Sequence, residues 1–381
     1  MLASQRELFD IPRDICYLNS ASYSPLPLRT QEAARAAIGR KGAPWTLDAA
    51  FANRQHERAR GAAARLINAD ASDVALISSV SFGVATVGKV LAIPPGMRVL
   101  VLENDHSSPI LEWQTRASSA GFTVETVRQP PDGDWTSAVL AAIDRTGAPR
   151  LALASISSVH WSDGGLIDIA KVGAALKRHG ALFLIDATHA IGVLAMDVKS
   201  LDPDFVIFPT YKWLLGPYGR AFIYMAKRHQ NGIPLEQTGF GRREIRSDAE
   251  IYFADVSYVP TARRFDMGER DHFISMEMAA IGMEMMAEWG TEAVAGRLAV
   301  LTARIAEALG GTKVRLMETR FRAPHVLSLG FAGGLPTGLI EGLAADGVYV
   351  APRLSRMRIS PHVFNDEEDA DRFVAALKKR L

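Results

Sequence analysis

The chain of 381 residues is 48% hydrophobic and 22% charged, and its formal net charge at pH 7 is only +1. This length predicts about two domains with a large buried core. The balanced charge argues against a dedicated nucleic-acid-binding protein, although a local basic patch stays open. Cys16 is the only cysteine, which excludes an intramolecular disulfide and a cysteine-based metal cluster, and fits a reducing cytoplasm.

The N-terminal residues, MLASQRELFDIPRD, lack the apolar region of a signal peptide. The most apolar runs, such as GALFLIDATHAIGVLAM, carry polar residues or are shorter than the ~20 residues that cross a bilayer. We therefore expect a cytoplasmic protein with no membrane partner.

Short apolar runs between residues 74 and 225 predict the strands of a sheet. Most are nearly continuous rather than alternating, which is typical of parallel strands buried on both faces. Amphipathic helices such as Asp168–His179, which Gly180 ends, lie between them. The pattern predicts an α/β large domain over 15–254 after an N-terminal arm over 1–14. The predicted strands are Val74–Ser78, Arg98–Glu103, Thr123–Arg128, Leu151–Ser155, Leu182–Asp186, Phe205–Pro209 and Arg220–Met225.

The pattern changes after about residue 255, and residues 255–381 predict a smaller α+β domain. A methionine-rich stretch there is expected to pack in the core or at a subunit interface, although methionines also suit an adaptable binding surface. Its members are Met276, Met278, Met283, Met285 and Met286. The predicted elements are helices over Phe273–Trp289, Thr291–Leu309 and Asp366–Leu381, and strands over Val326–Gly330 and Gly347–Ala351.

A carboxylate and a histidine follow one of the apolar strands. In LFLIDATHAIG the strand ends at Asp186, and His189 comes three residues later. Ligands of open α/β sheets bind beyond the carboxyl ends of the strands, so a functional carboxylate is expected here. A helix-capping aspartate beside a surface histidine is the alternative.

A lysine follows the next strand. In DFVIFPTYKWLLGPYG the strand ends at Pro209, and Lys212 stands in a loop between Tyr211 and Trp213. Apolar neighbours solvate an ammonium poorly, which lowers its pKa and frees the amine for carbonyl chemistry. A surface lysine in a turn is the alternative, and Lys89 is the second candidate.

Taken together, Asp186, His189 and Lys212 resemble the fold-type-I pyridoxal-phosphate enzymes, in particular the class V aminotransferase family. That family includes cysteine desulfurases, selenocysteine lyases, kynureninases and isopenicillin-N-epimerase-like proteins. The resemblance extends from YLNSASYSPLP near the start to RISPHVFNDEEDADRF near the end. It implies pyridoxal 5'-phosphate as cofactor, and the fold-type-I architecture of a mainly parallel large domain and a smaller α+β C-terminal domain.

The resemblance implies three catalytic residues. Lys212 would hold the cofactor as an aldimine and then move protons at the substrate. Asp186 would keep the ring nitrogen protonated, which the cofactor needs as an electron sink. His106, in VLENDHSSPI, would stack on the ring; a loop histidine in water is the alternative.

Further cofactor contacts follow from the resemblance. The segment LISSVSFGVATVG looks like the family's phosphate cup, because a helix start offers backbone N–H groups to an anion. Ordinary helix capping by its serines is the alternative. The implied contacts are Ser79, Val80, Ser81, Ser158, His189, Thr210 and Tyr211.

The resemblance also implies a substrate pocket. Arg358, in RISPHVFN, resembles the arginine that pairs bidentately with a substrate α-carboxylate, and Arg356 is its competitor. Ala21, His160 and Trp161 are expected to wall the pocket, although Trp161 suits the core equally well.

No metal site is expected, since Asp163, Asp186 and His189 lack a clustered second histidine or cysteines. The family's shared active sites imply a homodimer, in which the segment Arg263–Phe273 reaches across to the partner's phosphate. Glu269 would repel that phosphate, so the backbone of Gly268 or Arg270 takes the contact instead.

Fold does not settle the reaction. The sequence favours a class V aminotransferase-like enzyme acting on a small amino acid or amino-acid conjugate, with C–S β-lyase chemistry nearly equal and epimerisation third. A non-catalytic, pyridoxal-phosphate-binding regulatory protein is the alternative from another class. A desulfurase that stores persulfide needs a thiol in the C-terminal region, whereas Cys16 lies at the other end of the chain.

Overall fold

The computed structural model describes residues 2–381. Its strands are β1 Cys16–Tyr17, β2 Val74–Ile77, β3 Arg98–Leu102, β4 Thr123–Val127, β5 Leu151–Ser157, β6 Leu182–Asp186, β7 Phe205–Pro209, β8 Ala221–Met225, β9 Arg242–Ile245, β10 Phe253–Tyr258, β11 Arg315–Leu316, β12 Leu327–Gly330, β13 Val348–Tyr349, β14 Ala351–Arg353 and β15 Arg356–Ile359.

The helices surround these strands. They are α1 Leu28–Gly42, α2 Ala49–Leu66, α3 Val80–Val90, α4 Ser107–Ala120, α5 Trp135–Ile143, α6 Ile169–Arg178, α7 Val198–Leu201, α8 Ser275–Trp289, α9 Thr291–Ala308, α10 Leu339–Ala345 and α11 Glu367–Lys378. Within residues 2–381, none of them is long and apolar enough to cross a membrane.

A seven-stranded sheet in the order β2-β8-β7-β6-β5-β3-β4 forms the centre of the molecule. All neighbouring strands are parallel except β8, which runs antiparallel to β2 and β7. Every residue of β2, β3, β5, β7 and β8 is buried, because helices cover both faces. The seven predicted strands and the fold class are confirmed, with strand ends that differ by two residues at most.

A four-stranded antiparallel sheet, β11-β12-β15-β14, packs with α9 and α11 around a second core. The predicted strand Gly347–Ala351 is split, since its first half pairs with β1 and Ala351 begins β14. Strand β15 and the hairpin β9–β10 were not predicted. The division of the chain at residues 14 and 254 stays a prediction. The methionines of α8 are buried, which confirms core packing.

The central sheet sets the position of the helix that follows β2. A Cβ on Gly83 of α3 would lie 2.8 Å from Ile77 and 2.9 Å from Ile207. Only a residue without a side chain lets the helix approach the sheet this closely. The close approach holds the N-terminus of α3 at the carboxyl edge of the parallel strands, where β6 and β7 end.

Candidate functional site

A cavity of about 260 Å³ opens beyond the carboxyl ends of the parallel strands. The start of α3, the β3–α4 connection and the residues after β6 and β7 form its walls. Ten of the predicted site residues or their immediate neighbours meet here, as the cavity lining shows: Ser79, Val80, Ser81, His106, Ser157, Trp161, Asp186, His189, Tyr211 and Lys212.

Lys212 is buried in this cavity, and its amine faces a histidine. Lys212 Nζ lies 3.2 Å from Nε2 of His189. Burial and then the charge of Arg358 lower the pKa of Lys212 to about 7, while Asp186 opposes the shift. A substantial fraction of the amine is therefore unprotonated near neutral pH, which is the form that attacks a carbonyl carbon.

The protonation of His189 follows from its second neighbour. The indole Nε1–H of Trp213 donates to Nδ1 of His189 over 3.1 Å, so Nδ1 acts as the acceptor. Burial and the charge of Lys212 lower the pKa of His189 well below its usual value, and the ring is neutral. Its single proton then resides on Nε2, and the ring is a hydrogen-bond donor toward Lys212.

Asp186 ends β6 with its carboxylate in the same cavity. One oxygen, Oδ1, accepts from the backbone N–H of Thr188 at 2.9 Å. No residue from 2 to 381 donates to the other oxygen, and the buried Oγ1 of Thr188 has no partner there either. Buried polar groups are rarely left unpaired, so this end of the cavity suits a ligand with a polar N–H.

The start of α3 forms an anion site. Ser79 Oγ caps the helix by accepting from the N–H of Phe82 at 3.1 Å, so the capping alternative is correct for this side chain. The N–H groups of Val80 and Ser81, at the first turn, find no acceptor among residues 2–381. Free N–H groups and the helix dipole together favour an anion such as a phosphate.

Arg220 strengthens this anion site, and sequence reasoning missed it. The side chain is buried and lines the cavity; its Nε donates to Ser275 Oγ at 2.6 Å. Within residues 2–381 no carboxylate lies within ion-pair distance of Arg220, and burial lowers its pKa. No signal in the sequence indicated it, because Arg220 reaches the cavity only through strand pairing: β8 runs antiparallel to β7 and therefore starts where β7 ends.

Besides Arg358, which lies behind the cavity wall, four predicted contacts lie outside the cavity. Thr210 Oγ1 donates to the carbonyl of Pro217 at 2.7 Å and so closes the Lys212 loop on itself. Ser158 faces a separate cleft, because β5 extends to Ser157 and side chains alternate across a strand. It is Ser157 that lines the cavity.

The other two are held in the interior. His160 is fully buried, with Nδ1 3.1 Å from Asp163 Oδ1 and its ring stacked on Trp135 at 4.7 Å. Ala21 is buried as well, and its N–H donates to Ser360 Oγ at 3.0 Å. Neither side chain lines the cavity, so the structure does not bring them to the position that the sequence suggested.

The remaining residues form the substrate end. Trp161 lines the cavity and meets His106 edge to face, with ring centroids 5.8 Å apart. Arg358, buried behind it, donates to the Trp161 carbonyl at 2.6 Å and to Ser22 Oγ at 2.9 Å. Arg356 instead lines a different cleft, with Gln129.

The donor set fits pyridoxal phosphate: a buried amine with a lowered pKa, an open carboxylate oxygen, and an anion site with a buried arginine surround one cavity. In the part of the chain that the structure describes, no group of three or more His, Cys, Asp or Glu side chains is arranged to hold a metal ion.

Comparison with known proteins agrees with this geometry. The sequence pattern of the family described as Aminotransferase class-V matches residues 17–373. An uncharacterized aminotransferase of Bacillus subtilis, YcbU, is 27% identical over 326 residues, which cover 82% of this chain and 80% of that protein. A probable cysteine desulfurase of Methanothermobacter thermautotrophicus is 30% identical over 253 residues, 64% of this chain and 61% of that protein.

A solved structure confirms the fold. The cystine C–S lyase C-DES, in complex with its reaction product cysteine persulfide, superposes with a TM-score of 0.84. The match covers 96% of this chain and 97% of that one at 19% sequence identity.

Proposed function

This chain belongs to the aminotransferase class-V family, and we propose that it acts on a small amino acid or amino-acid conjugate through Lys212. Family membership makes it a pyridoxal-phosphate-dependent transaminase or lyase. The observation that carries the assignment of the lysine is its place: a buried amine whose pKa is lowered to about 7, 3.2 Å from a neutral histidine.

The chain's own groups divide the work. Pyridoxal phosphate, when bound, supplies an electron sink for a bond broken at the substrate Cα. Asp186 accepts a hydrogen bond at its open oxygen and so holds a proton on a ring nitrogen. His189 donates from Nε2, and the start of α3 with Arg220 holds the phosphate. The Lys212 amine would take the proton from Cα and, in transamination, deliver it to the cofactor's reactive carbon instead of returning it to Cα. His106 would restrict the ring from one face.

Arg358 holds the substrate by its α-carboxylate. Its guanidinium is buried and has no carboxylate partner within residues 2–381, and its planar fork matches a carboxylate in two parallel hydrogen bonds. Such an anchor fixes Cα over the cavity and exposes the bond that is to break.

Among the reactions of the family, we favour transamination, with C–S β-elimination as the second candidate. Cys16, in β1, is buried against α11, and its thiol contacts the Asp369 carbonyl at 3.2 Å. A thiol held there cannot carry sulfur away from Lys212, so a lyase would release its product directly. Epimerisation ranks third. The complete Lys212, Asp186 and His189 set argues against a non-catalytic regulatory protein.

We further propose a cytoplasmic homodimer. The hairpin β9–β10 exposes large apolar side chains that suit an interface with a second copy: Ile251, Tyr252, Phe253 and Val256. Arg270 is paired with the buried Asp266, and the N–H of Gly268 donates to Glu236. Because both groups are engaged, a contact to the partner's phosphate requires that they exchange partners.

An absorbance spectrum of the purified protein, repeated with single amino acids, tests the proposed reaction. Loss of the bound-cofactor band together with a ketoacid product supports transamination. Release of pyruvate together with sulfide or a thiol would instead show lyase chemistry. A cofactor band that no amino acid changes would contradict the proposed enzyme.

A further inference from the structure

Two arginines converge on one serine hydroxyl at the substrate end of the cavity. Ser22 Oγ accepts from Nη2 of Arg358 at 2.9 Å and from Nη2 of Arg353. The same oxygen donates to Asn19 Oδ1 at 2.7 Å. A hydroxyl has one donor and two acceptor positions, so Ser22 is fully used and offers no further compensation to either guanidinium.

Neither arginine has an acidic partner. No carboxylate of residues 2–381 lies within 4.0 Å of the guanidinium nitrogens of Arg353 or Arg358, whereas most arginines of the chain form such pairs. The Nε atoms of both are buried and unpartnered. Burial lowers the pKa of each, and the charge of Arg353 lowers that of Arg358 further. Because the two guanidinium charges repel each other, bound anions would stabilise the pair.

Arg353 is half-buried beside the cavity wall that Trp161 forms. It ends β14, and its guanidinium carbon lies 5.7 Å from the centre of the Trp161 ring, which lines the cavity. A tight turn joins β14 to β15, and the pairing of Ala351 with Arg358 and of Arg353 with Arg356 puts Arg353 and Arg358 on the same side of the hairpin.

Assigning each ligand group to its own residue leaves one arginine without a partner. In the proposed function, a cofactor phosphate uses Arg220 and the start of α3, a protonated ring nitrogen uses Asp186, and the substrate α-carboxylate uses Arg358. Arg353 then remains half-buried without a counter-charge, which is unfavourable. A second anionic group on the substrate itself would give Arg353 a partner.

We propose that the substrate is an amino acid with a second anionic group on its side chain, bound by Arg353 while Arg358 binds the α-carboxylate. This inference rests on the proposed function, because it takes the amino acid to react at Lys212. The second group is a carboxylate or another acidic group of similar charge and distance from Cα. The site should bind the neutral amide of the same shape more weakly.

Matched pairs of amino acids test this directly on the cofactor-loaded protein. L-aspartate is compared with L-asparagine, L-glutamate with L-glutamine, and O-phospho-L-serine with L-serine. The apparent dissociation constant comes from the change in cofactor absorbance. We expect the anionic member of at least one pair to bind about 30-fold more tightly or better, since an unpaired buried charge is costly.

Three variants locate the effect. Arg353→Gln should abolish the preference, Arg353→Lys should retain part of it, and Arg356→Gln, which removes a neighbouring arginine that lines another cleft, should leave it intact. Unfolding curves confirm that each variant is folded.

Equal binding of the two members of all three pairs overturns the proposal. In that case a cofactor spectrum that still responds to amino acids leaves the proposed function intact. A preference that survives in Arg353→Gln overturns it too, because the second anion is then held elsewhere. A protein that binds no cofactor at Lys212 refutes the proposed function itself.

Discussion

Two buried histidines lie close to charged groups of opposite sign. His160 Nδ1 faces the carboxylate of Asp163 at 3.1 Å, and His189 Nε2 faces the amine of Lys212 at 3.2 Å. Although burial favours the neutral imidazole, the hydrogen bond to Asp163 raises the pKa of His160. Beside Lys212 no such carboxylate contact exists within residues 2–381, and burial lowers the pKa of both groups.

The two histidine pairs differ in whether their polar groups are all paired, and this indicates a structural role for one and a chemical role for the other. Asp163 also accepts from Gly165 N–H at 2.8 Å and from the Trp135 indole at 3.2 Å, so the His160 pair is saturated and stable. Within residues 2–381 the His189 pair has no counter-charge in contact and is open to the cavity, with a neutral imidazole beside an amine of lowered pKa. A buried polar pair with a counter-charge supports the fold, whereas one without it keeps a group ready for reaction.

Removing the counter-charge of the saturated pair should have the largest effect on stability. Asp163→Ala strands His160, the Trp135 indole and a backbone N–H, and we expect it to lower the free energy of unfolding by about 3–5 kcal/mol. Urea denaturation measures this loss. Asp144→Ala is the matched control, because its pair with His179 is exposed and should cost less than about 1 kcal/mol. Similar losses in both variants would contradict the comparison.

Removing the carboxylate of the open cavity should instead affect turnover. Asp186→Ala is expected to reduce turnover of the best amino acid by at least about 100-fold, as for the loss of one preorganised electrostatic partner, while the cofactor stays bound. Steady-state kinetics with an absorbance check of cofactor content measure both. Turnover like that of the wild type would show that Asp186 has no role in the chemistry.

Two further buried histidines, His325 and His362, predict that the stability of the fold depends on pH. Burial lowers the pKa of His325 to about 3 and that of His362 to about 4. The unfolded chain binds their protons below pH 6.5 and the folded chain does not, so stability is complete above that pH and falls as the pH drops toward 3.

His325→Asn makes this prediction specific. The amide keeps a donor for the His189 carbonyl, which His325 Nε2 now contacts at 2.7 Å, and it does not titrate. Between pH 6.5 and 5 we expect its stability to fall less steeply than that of the wild type, by up to about 1.4 kcal/mol per pH unit. Urea denaturation at both pH values measures the two stabilities. If the stability of wild type and His325→Asn falls equally between these pH values, the histidine lies in a solvated environment.

The smallest expected effect concerns the tautomer of His189. In the cofactor-free protein, ¹⁵N NMR of labelled histidine should show the proton on Nε2 in the wild type. Trp213→Phe removes the indole donor to Nδ1 and should yield a mixture of tautomers, with a change in stability of about 1 kcal/mol. The ring signals of His160 serve as the internal control. A wild-type proton on Nδ1 would exclude the donor role toward Lys212.

Much of the central sheet was predictable from sequence because most of its strands are buried on both faces. Such strands are continuous apolar runs, and their ends mark the edge where ligands bind. Asp186 and Lys212 both follow such ends, and the structure brings their side chains into one cavity. The exposed hairpin β9–β10 has no such pattern, and it was missed.

The other residues of the site depend on geometry that a sequence does not carry. The choice between Ser157 and Ser158 depends on where β5 ends, since one residue reverses the face. His160 turns inward because Asp163, three residues on, offers a buried acceptor. Arg353 and Arg220 become visible only when strand pairing shows which chain segments share an edge.

The site of cofactor attachment tests the central claim most directly. The protein is loaded with pyridoxal phosphate, reduced with borohydride, digested, and analysed by mass spectrometry for the pyridoxyl-modified peptide. We predict modification of Lys212 and none in Lys212→Ala, with Lys89→Ala modified like the wild type. A pyridoxyl group on Lys89, or on any lysine other than Lys212, would contradict the account.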